Sequence, residues 1–221
     1  MSFFKSFKDT ASSTLKKQAG TFTDLSLDYS FLLDNRDRSF MPTKGTFATF
    51  SQTLPIFADS PSVRNTVQYN RYNSFNEDMI GAFKFYAAGV VAIEDDVRLS
   101  RRLHIPSKRL RGFENRKIGP VDGGDYIGGN YATVLNLEAA LPNLLPESTR
   151  TDVSLFLDSG NLWGVDYDSS IDENSKIRSS TGLAVEWFTP VGPLSLSYAI
   201  PLTKSSTDKT ETVRFNIGTT F

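Results

Sequence analysis

The sequence predicts an all-β chain that forms an antiparallel transmembrane β-barrel. Three observations carry that expectation. Hydrophobicity alternates with a period of two through about nine separate segments. Most of these run roughly 9–13 residues, longer than the five or six of an ordinary globular strand and enough for a tilted strand to cross a bilayer. Tight turns tend to alternate with longer polar connections, the pattern of outer-membrane barrels.

The composition permits this reading and removes several others. The 221 residues carry a formal net charge of -1, so there is no global basic field for nucleic acid. Cysteine is absent, which removes disulfides, thiolate nucleophiles and Cys-based metal sites. Only 39% of residues are hydrophobic, and the longest nearly apolar run, Ala87–Ile93, is far short of a membrane-spanning helix. A barrel has the same low hydropathy, because only alternate residues face lipid. The N-terminus lacks an export signal: Phe3, Phe4 and Phe7 are interrupted by Lys5 and Lys8. With an odd strand count, this leads to the expectation of a partial chain.

Residues 1–20 carry a weak helical pattern ending near Gly20, which predicts a short helix or loop remnant. The β domain is expected over 21–221. Its first segment, Thr21–Leu33, sets Leu25, Leu27, Tyr29, Phe31 and Leu33 against Asp24, Ser26, Asp28 and Ser30. Thr46–Leu54, Val63–Phe75 and Ala82–Ala92 follow, the last with Phe83, Phe85 and Val91 on one parity. Asn130–Leu141 sets Tyr131, Leu135, Leu137 and Leu141 against Asn136 and Glu138, and Arg150–Trp163 sets Val153, Leu155 and Leu157 against Asp152, Ser154 and Asp158. Ile177–Trp187, Leu194–Ile200 and Thr212–Phe221 complete the set. Tight turns are expected at Asn76–Gly81 and Pro190–Pro193, and longer polar ones at Gly164–Lys176 and Leu202–Glu211. Alternation alone leaves open which face is apolar outward, so a soluble β-sandwich binding module is the alternative.

Between residues 93 and 127 the alternation stops. A loop of this length without regular structure is unusual inside a domain and points to function. It carries a basic run from Arg98 to Arg111 and closes on a glycine-rich stretch. Leu110-Arg111-Gly112-Phe113, then Ile118-Gly119-Pro120, then Gly128-Gly129-Asn130 opening a strand, resembles the signature loop of the outer-membrane assembly superfamily, also called the bacterial surface antigen family. The resemblance continues through LNLEAALP, FLDSGNLWG, AVEWFTPVGPLSLSYAIP and the terminal RFNIGTTF, and upstream through DYSFLLDNRDRSFMPTKGT.

That resemblance implies the C-terminal part of a sixteen-stranded barrel, with the loop joining the eleventh strand to the twelfth and with POTRA domains upstream. It implies assembly and insertion of β-barrel proteins in the bacterial outer membrane, with lipids, unfolded clients and accessory lipoproteins as partners. A translocation-and-assembly or two-partner secretion transporter is the alternative within the family. It further implies a loop lock in which Arg111 meets Glu138 and Asp158, Gly112 allows a tight turn, and Phe113 wedges the loop against the wall. The parity of Glu138 and Asp158 independently points both carboxylates to the polar face. The last strand, with Phe215, Ile217, Gly218 and the terminal aromatic Phe221, resembles the family's C-terminal signal and seam.

No cofactor, metal site, nucleic-acid partner or enzymatic activity is expected. His104, the single histidine, reads as a solvated loop residue, and Asp34-Asn35-Arg36-Asp37 as a turn without calcium-loop spacing. Asp166–Glu173 reads as a solvated acidic tip. The paired glycines at 123–124 and 128–129 match no dinucleotide fingerprint.

Overall fold

The computed structural model describes residues 2–4, 16, 20–174, 176–189 and 192–218. Its strands, in chain order, are β1 (Ser2–Phe4), β2 (Gly20–Phe22), β3 (Asp24–Asp34), β4 (Gly45–Ala58), β5 (Ser62–Ser74), β6 (Ile80–Ala92), β7 (Val121–Asp122), β8 (Asp125–Tyr126), β9 (Tyr131–Leu141), β10 (Thr151–Trp163), β11 (Arg178–Thr189), β12 (Gly192–Thr203) and β13 (Val213–Ile217). β1 pairs with β2; β1 and Gly20 fall in the stretch expected as a helix or loop remnant, and Thr21 and Phe22 in the expected β domain. Apart from Lys16, the intervening residues of that stretch lie outside those described.

Nine strands form one antiparallel sheet in the order β13-β12-β11-β10-β9-β6-β5-β4-β3. Chain neighbours are spatial neighbours throughout, with one long detour. β6 pairs directly with β9 from Ile80↔Ala140 to Gly89↔Tyr131, so the segment between them leaves the sheet at one rim and returns to it there. The same rim carries the connections 164–177 and 204–212; the opposite rim carries 75–79 and the passage from Thr189 to Gly192. The connection 35–44, on that opposite rim, is longer than a tight turn because Asp37 organises it, accepting from the amides of Thr43 at 2.9 Å and Lys44 at 3.2 Å.

The sheet's two faces decide between barrel and sandwich. Leu155 is 52% exposed and Phe215 56%, whereas Asp158 and Ser180 are 0% exposed. The apolar parity therefore faces outward and the polar parity inward, the reverse of a water-soluble sandwich. Tyr131 and Trp163, cross-strand partners near the loop-bearing rim, stack at 5.7 Å. Leu25, Leu27, Phe31, Leu183 and Leu196 extend the same outward band across the sheet.

The inner face is less polar than the alternation suggests. Val97, Leu103, Ile105, Leu110, Phe113 and Ile118 of the long loop are buried against Ala88, Val90, Ala132, Val134 and Leu162 of β6, β9 and β10. Among the described residues this is the most extensive of the buried apolar clusters, and it lies inside the curve of the sheet. Alternation around these inward positions is masked because the wall must be apolar where a loop packs on it. The final strand is also shorter than expected. Regular pairing ends at Ile217, and Gly218 turns away with φ +106°, donating its amide to Pro193 O at 2.7 Å. Gly218 thus stands after the strand, and Phe221 lies outside the described residues.

Placing a charge on the outward band costs far more than placing one on the inner wall. Leu155→Arg is expected to destabilise the protein by about 2–4 kcal/mol in a bilayer, and Asn216→Lys by less than half of that. Denaturant unfolding in phospholipid vesicles measures both, and equal losses would contradict the orientation.

Candidate functional site

The long loop folds back into the concave face of the sheet as a finger, and Arg111 stands at its turning point. A guanidinium removed from water is costly unless its donors are matched and its charge compensated. Here both conditions are met by the wall. Arg111 donates from Nε to Asp158 Oδ2 at 2.8 Å and from its terminal nitrogen to Asp158 Oδ1 at 2.7 Å, a bidentate fork. The same terminal nitrogen lies 2.7 Å from Glu138 Oε1. The backbone amide of Arg111 also donates to Asp158 Oδ2, at 3.0 Å.

The acids are supported in turn. Asn136 donates from Nδ2 to Asp158 Oδ1 at 2.7 Å and to the carbonyl of Arg109 at 2.7 Å, so one amide holds both the acid and the loop. Lys84 donates to Glu138 Oε2 at 2.6 Å. The guanidinium plane sits 3.6 Å from the centre of the Phe156 ring, within cation–π range. Burial works against the charge on Arg111, yet Glu138 and Asp158 outweigh it and raise its pKa. Two positive groups and two carboxylates compensate one another, and the arrangement is a fixed electrostatic anchor.

The backbone around the anchor depends on small residues. Gly112 has φ +88°, and a Cβ there would lie 3.2 Å from Ser180 Cβ and 3.3 Å from Ala199 Cβ. Ser180, Gly182, Ala184, Ser197 and Ala199 line this part of β11 and β12, leaving room for the finger's backbone. Ser180 donates its hydroxyl to Arg111 O at 2.5 Å. Phe113 is 1% exposed and packs into the core between finger and wall. Beyond the anchor, a cavity is lined by Lys84, Glu138, Asp152, Glu186 and Arg214.

The structure therefore brings together Arg111, Gly112, Phe113, Glu138 and Asp158. Phe215 and Ile217 stand on the outward face of β13, at the edge of the sheet, away from the finger. Sequence reasoning missed Lys84, Asn136, Phe156 and Ser180. Lys84 had a signal: it is the single charge in β6, on the inward parity between Phe83 and Phe85. Phe156 had only a faint one: it is an apolar residue on the polar parity between Ser154 and Asp158, and nothing local says that a guanidinium covers it.

Two loop readings change. His104 is not fully solvated: it lies half-buried between buried Leu103 and Ile105, and its Nδ1 is enclosed with no hydrogen-bond partner among the described residues. Burial, with the charge of Arg116, pushes its pKa down to about 4. Asp166 and Glu173 are not a free acidic tip either. Asp166 accepts the amide of Val97 at 2.7 Å, and Glu173 contacts Arg178 of β11.

Gly112→Ala should loosen the finger by about 1–2 kcal/mol, read as faster proteolysis across residues 108–118 with the sheet intact. Because the folded state holds His104 neutral, its contribution is complete above the unfolded pKa of 6.5 and is lost as pH falls towards about 4. Denaturation midpoints should therefore fall through that window, and His104→Gln should flatten that part of the profile.

Comparison with known proteins converges on one family. The Omp85 superfamily domain matches residues 3–221. The outer membrane protein assembly factor BamA of Neorickettsia risticii is 28% identical over 229 residues, covering 100% of this chain and 31% of the relative. The human sorting and assembly machinery component 50 homolog is 26% identical over 230 residues, covering 96% of this chain and 49% of the relative. A crystal structure of BamA from Haemophilus ducreyi, lacking POTRA domains 1-3, superposes with a TM-score of 0.80 at 25% identity, over 86% of this chain and 41% of that one. The chain spans less than half the length of each of these proteins. With the match running from residue 3 to residue 221, this chain belongs to the Omp85 superfamily.

Proposed function

We propose that the chain is the lipid-facing wall and lumenal finger of a bacterial outer-membrane assembly factor that inserts β-barrel proteins. The observation that carries this reading is the buried Arg111–Asp158–Glu138 anchor inside a sheet whose apolar side faces outward. A rigid finger fixed to β9 and β10 stiffens that half of the wall. The opposite end of the sheet is built differently. β13 has five regular residues where β12 has twelve, and in the described residues it pairs only with β12.

Lipid cannot satisfy unpaired backbone groups, so such an edge favours any strand that can pair with it. Unfolded barrel clients supply strands of that kind, and pairing by β-augmentation would template their insertion. A short, outwardly apolar strand (Val213, Phe215, Ile217) also matches a locally thinned bilayer. The Arg111 cluster acts as a lock that keeps the finger in place during this exchange. Outer-membrane lipids, client barrels and accessory lipoproteins are the partners of this reading. The relatives named as BamA and as sorting and assembly machinery support it over a secretion transporter.

Arg111→Glu places a third carboxylate beside Asp158 and Glu138. Removing one member of a buried ion pair costs about 3–5 kcal/mol, and a charge reversal costs more. The expected outcome is loss of complementation in a depletion strain, with Arg111→Lys intermediate because an ammonium cannot reproduce the fork. Growth equal to the parent with Arg111→Glu would overturn the lock.

A further inference from the structure

The finger's Arg111 is not alone in a matched acidic site: Arg178 of the inner wall sits in another. Arg178, at the start of β11, is 0% exposed, and its partner Asp208 is likewise inaccessible. Arg178 donates from Nε to Asp208 Oδ2 at 2.9 Å and from a terminal nitrogen to Asp208 Oδ1 at 2.9 Å. Its other terminal nitrogen donates to Asn161 Oδ1 and to the carbonyl of Lys176, both at 2.9 Å. Glu173 closes the remaining side. Asp208 also accepts the amide of Ser205 at 2.6 Å, and the Ser205 hydroxyl donates to Glu173 at 2.9 Å. One guanidinium thus ties β10, β11 and the connections 164–177 and 204–212 into a single unit.

The residues immediately after Asp208 touch the finger. Glu114 N donates to Lys209 O at 2.9 Å, Glu211 N to Gly112 O at 3.0 Å, and Lys209 N to Lys117 O at 3.0 Å. Phe113 and Thr210 form an antiparallel bridge. Residues 209–211 therefore act as a short strand edge onto which the finger's 112–114 segment is added. Backbone hydrogen bonding of this kind needs a preformed edge, because ordering both segments at once costs roughly 1–2 kcal/mol per residue.

We propose that Arg178 and Asp208 are a positioning pair that presents residues 209–211 as a docking edge for the finger, a second anchor separate from Arg111. This rests on the reading of the finger as the working element of an assembly factor, but its test does not. The pair touches none of the Arg111 cluster directly. It acts through the connection 204–212, fixing Asp208 so that the adjoining backbone groups point at Gly112 and Glu114. Neutralising Asp208, or replacing the fork of Arg178 by an ammonium, frees that connection while leaving Arg111 its own acids.

The chain has no cysteine, so an engineered pair reports without background. Glu114 and Lys209 flank the Phe113–Thr210 bridge and are joined by the bond from Glu114 N to Lys209 O, and directly opposed antiparallel residues generally lie within disulfide range. Glu114→Cys with Lys209→Cys, in the full-length protein assembled in a Gram-negative outer membrane, should cross-link on mild oxidation. Adding Asp208→Asn or Arg178→Lys should reduce the cross-link to the level of single-cysteine controls while the heat-modifiable folded band persists. A cross-link of undiminished yield in either folded variant overturns the proposal. Where one variant fails to fold, the other decides. If neither gives a folded band, the pair holds the sheet itself and the proposal falls. Client insertion is read separately, so failure of the assembly function leaves this result interpretable.

Discussion

A charged side chain enclosed by protein dictates much of what surrounds it. Arg111 reaches the inner wall where bulk water is excluded, and each of its donors must find an acceptor there. Asp158 supplies both oxygens, Glu138 one more, and Asn136 completes the acid's own hydrogen bonds. Those acceptors fix the parity of β9 and β10, since shifting either strand by one residue would turn Glu138 or Asp158 outward into the apolar band. Gly112 and the small residues of β11 and β12 follow from the same demand, because the backbone must approach the wall closely to deliver the guanidinium.

The molecule consequently keeps its hydrophobic core in an unfamiliar place. In a sandwich the apolar parity of each strand would meet a second sheet. Here it faces outward, and the buried apolar cluster lies between the finger and the inward parity of β6, β9 and β10. The finger replaces the missing layer over half of the sheet. Towards β13 the inner wall is lined by Ser195, Ser197, Arg214 and Asn216, and there polar groups and a cavity take the place of packing. Rigidity is therefore graded along the sheet, high where loop and wall interlock and lower near the terminal strand.

Loop anchorage repeats one device at two depths. Arg111 is held by acids from neighbouring strands, and Arg178 by acids from the connections at the rim. In each case a planar fork meets a carboxylate bidentately and an asparagine, Asn136 or Asn161, caps the arrangement. Buried pairs of this kind add specificity of position, because displacing a loop by even a turn would strand a charge.

The number and approximate positions of the nine strands, the separation of their residues into an apolar and a polar parity, and the existence of an unusual loop were legible from one sequence. All of them follow from period-two alternation, which the alternating environments of a barrel wall impose locally. The convergence of Arg111 with Glu138 and Asp158 was reachable only through a family likeness, because loop and strands are separated by 27 and 47 residues and no local pattern encodes their contact. Tertiary structure alone decided the rest. The inward Val90, Val134 and Leu162 look like noise in the alternation until the finger covers them. His104 has its Nδ1 enclosed because its loop folds inward, and Glu173 is engaged because Arg178 reaches it. Each of those outcomes depends on which segment packs over which, and that is set by the closing of the finger onto the wall.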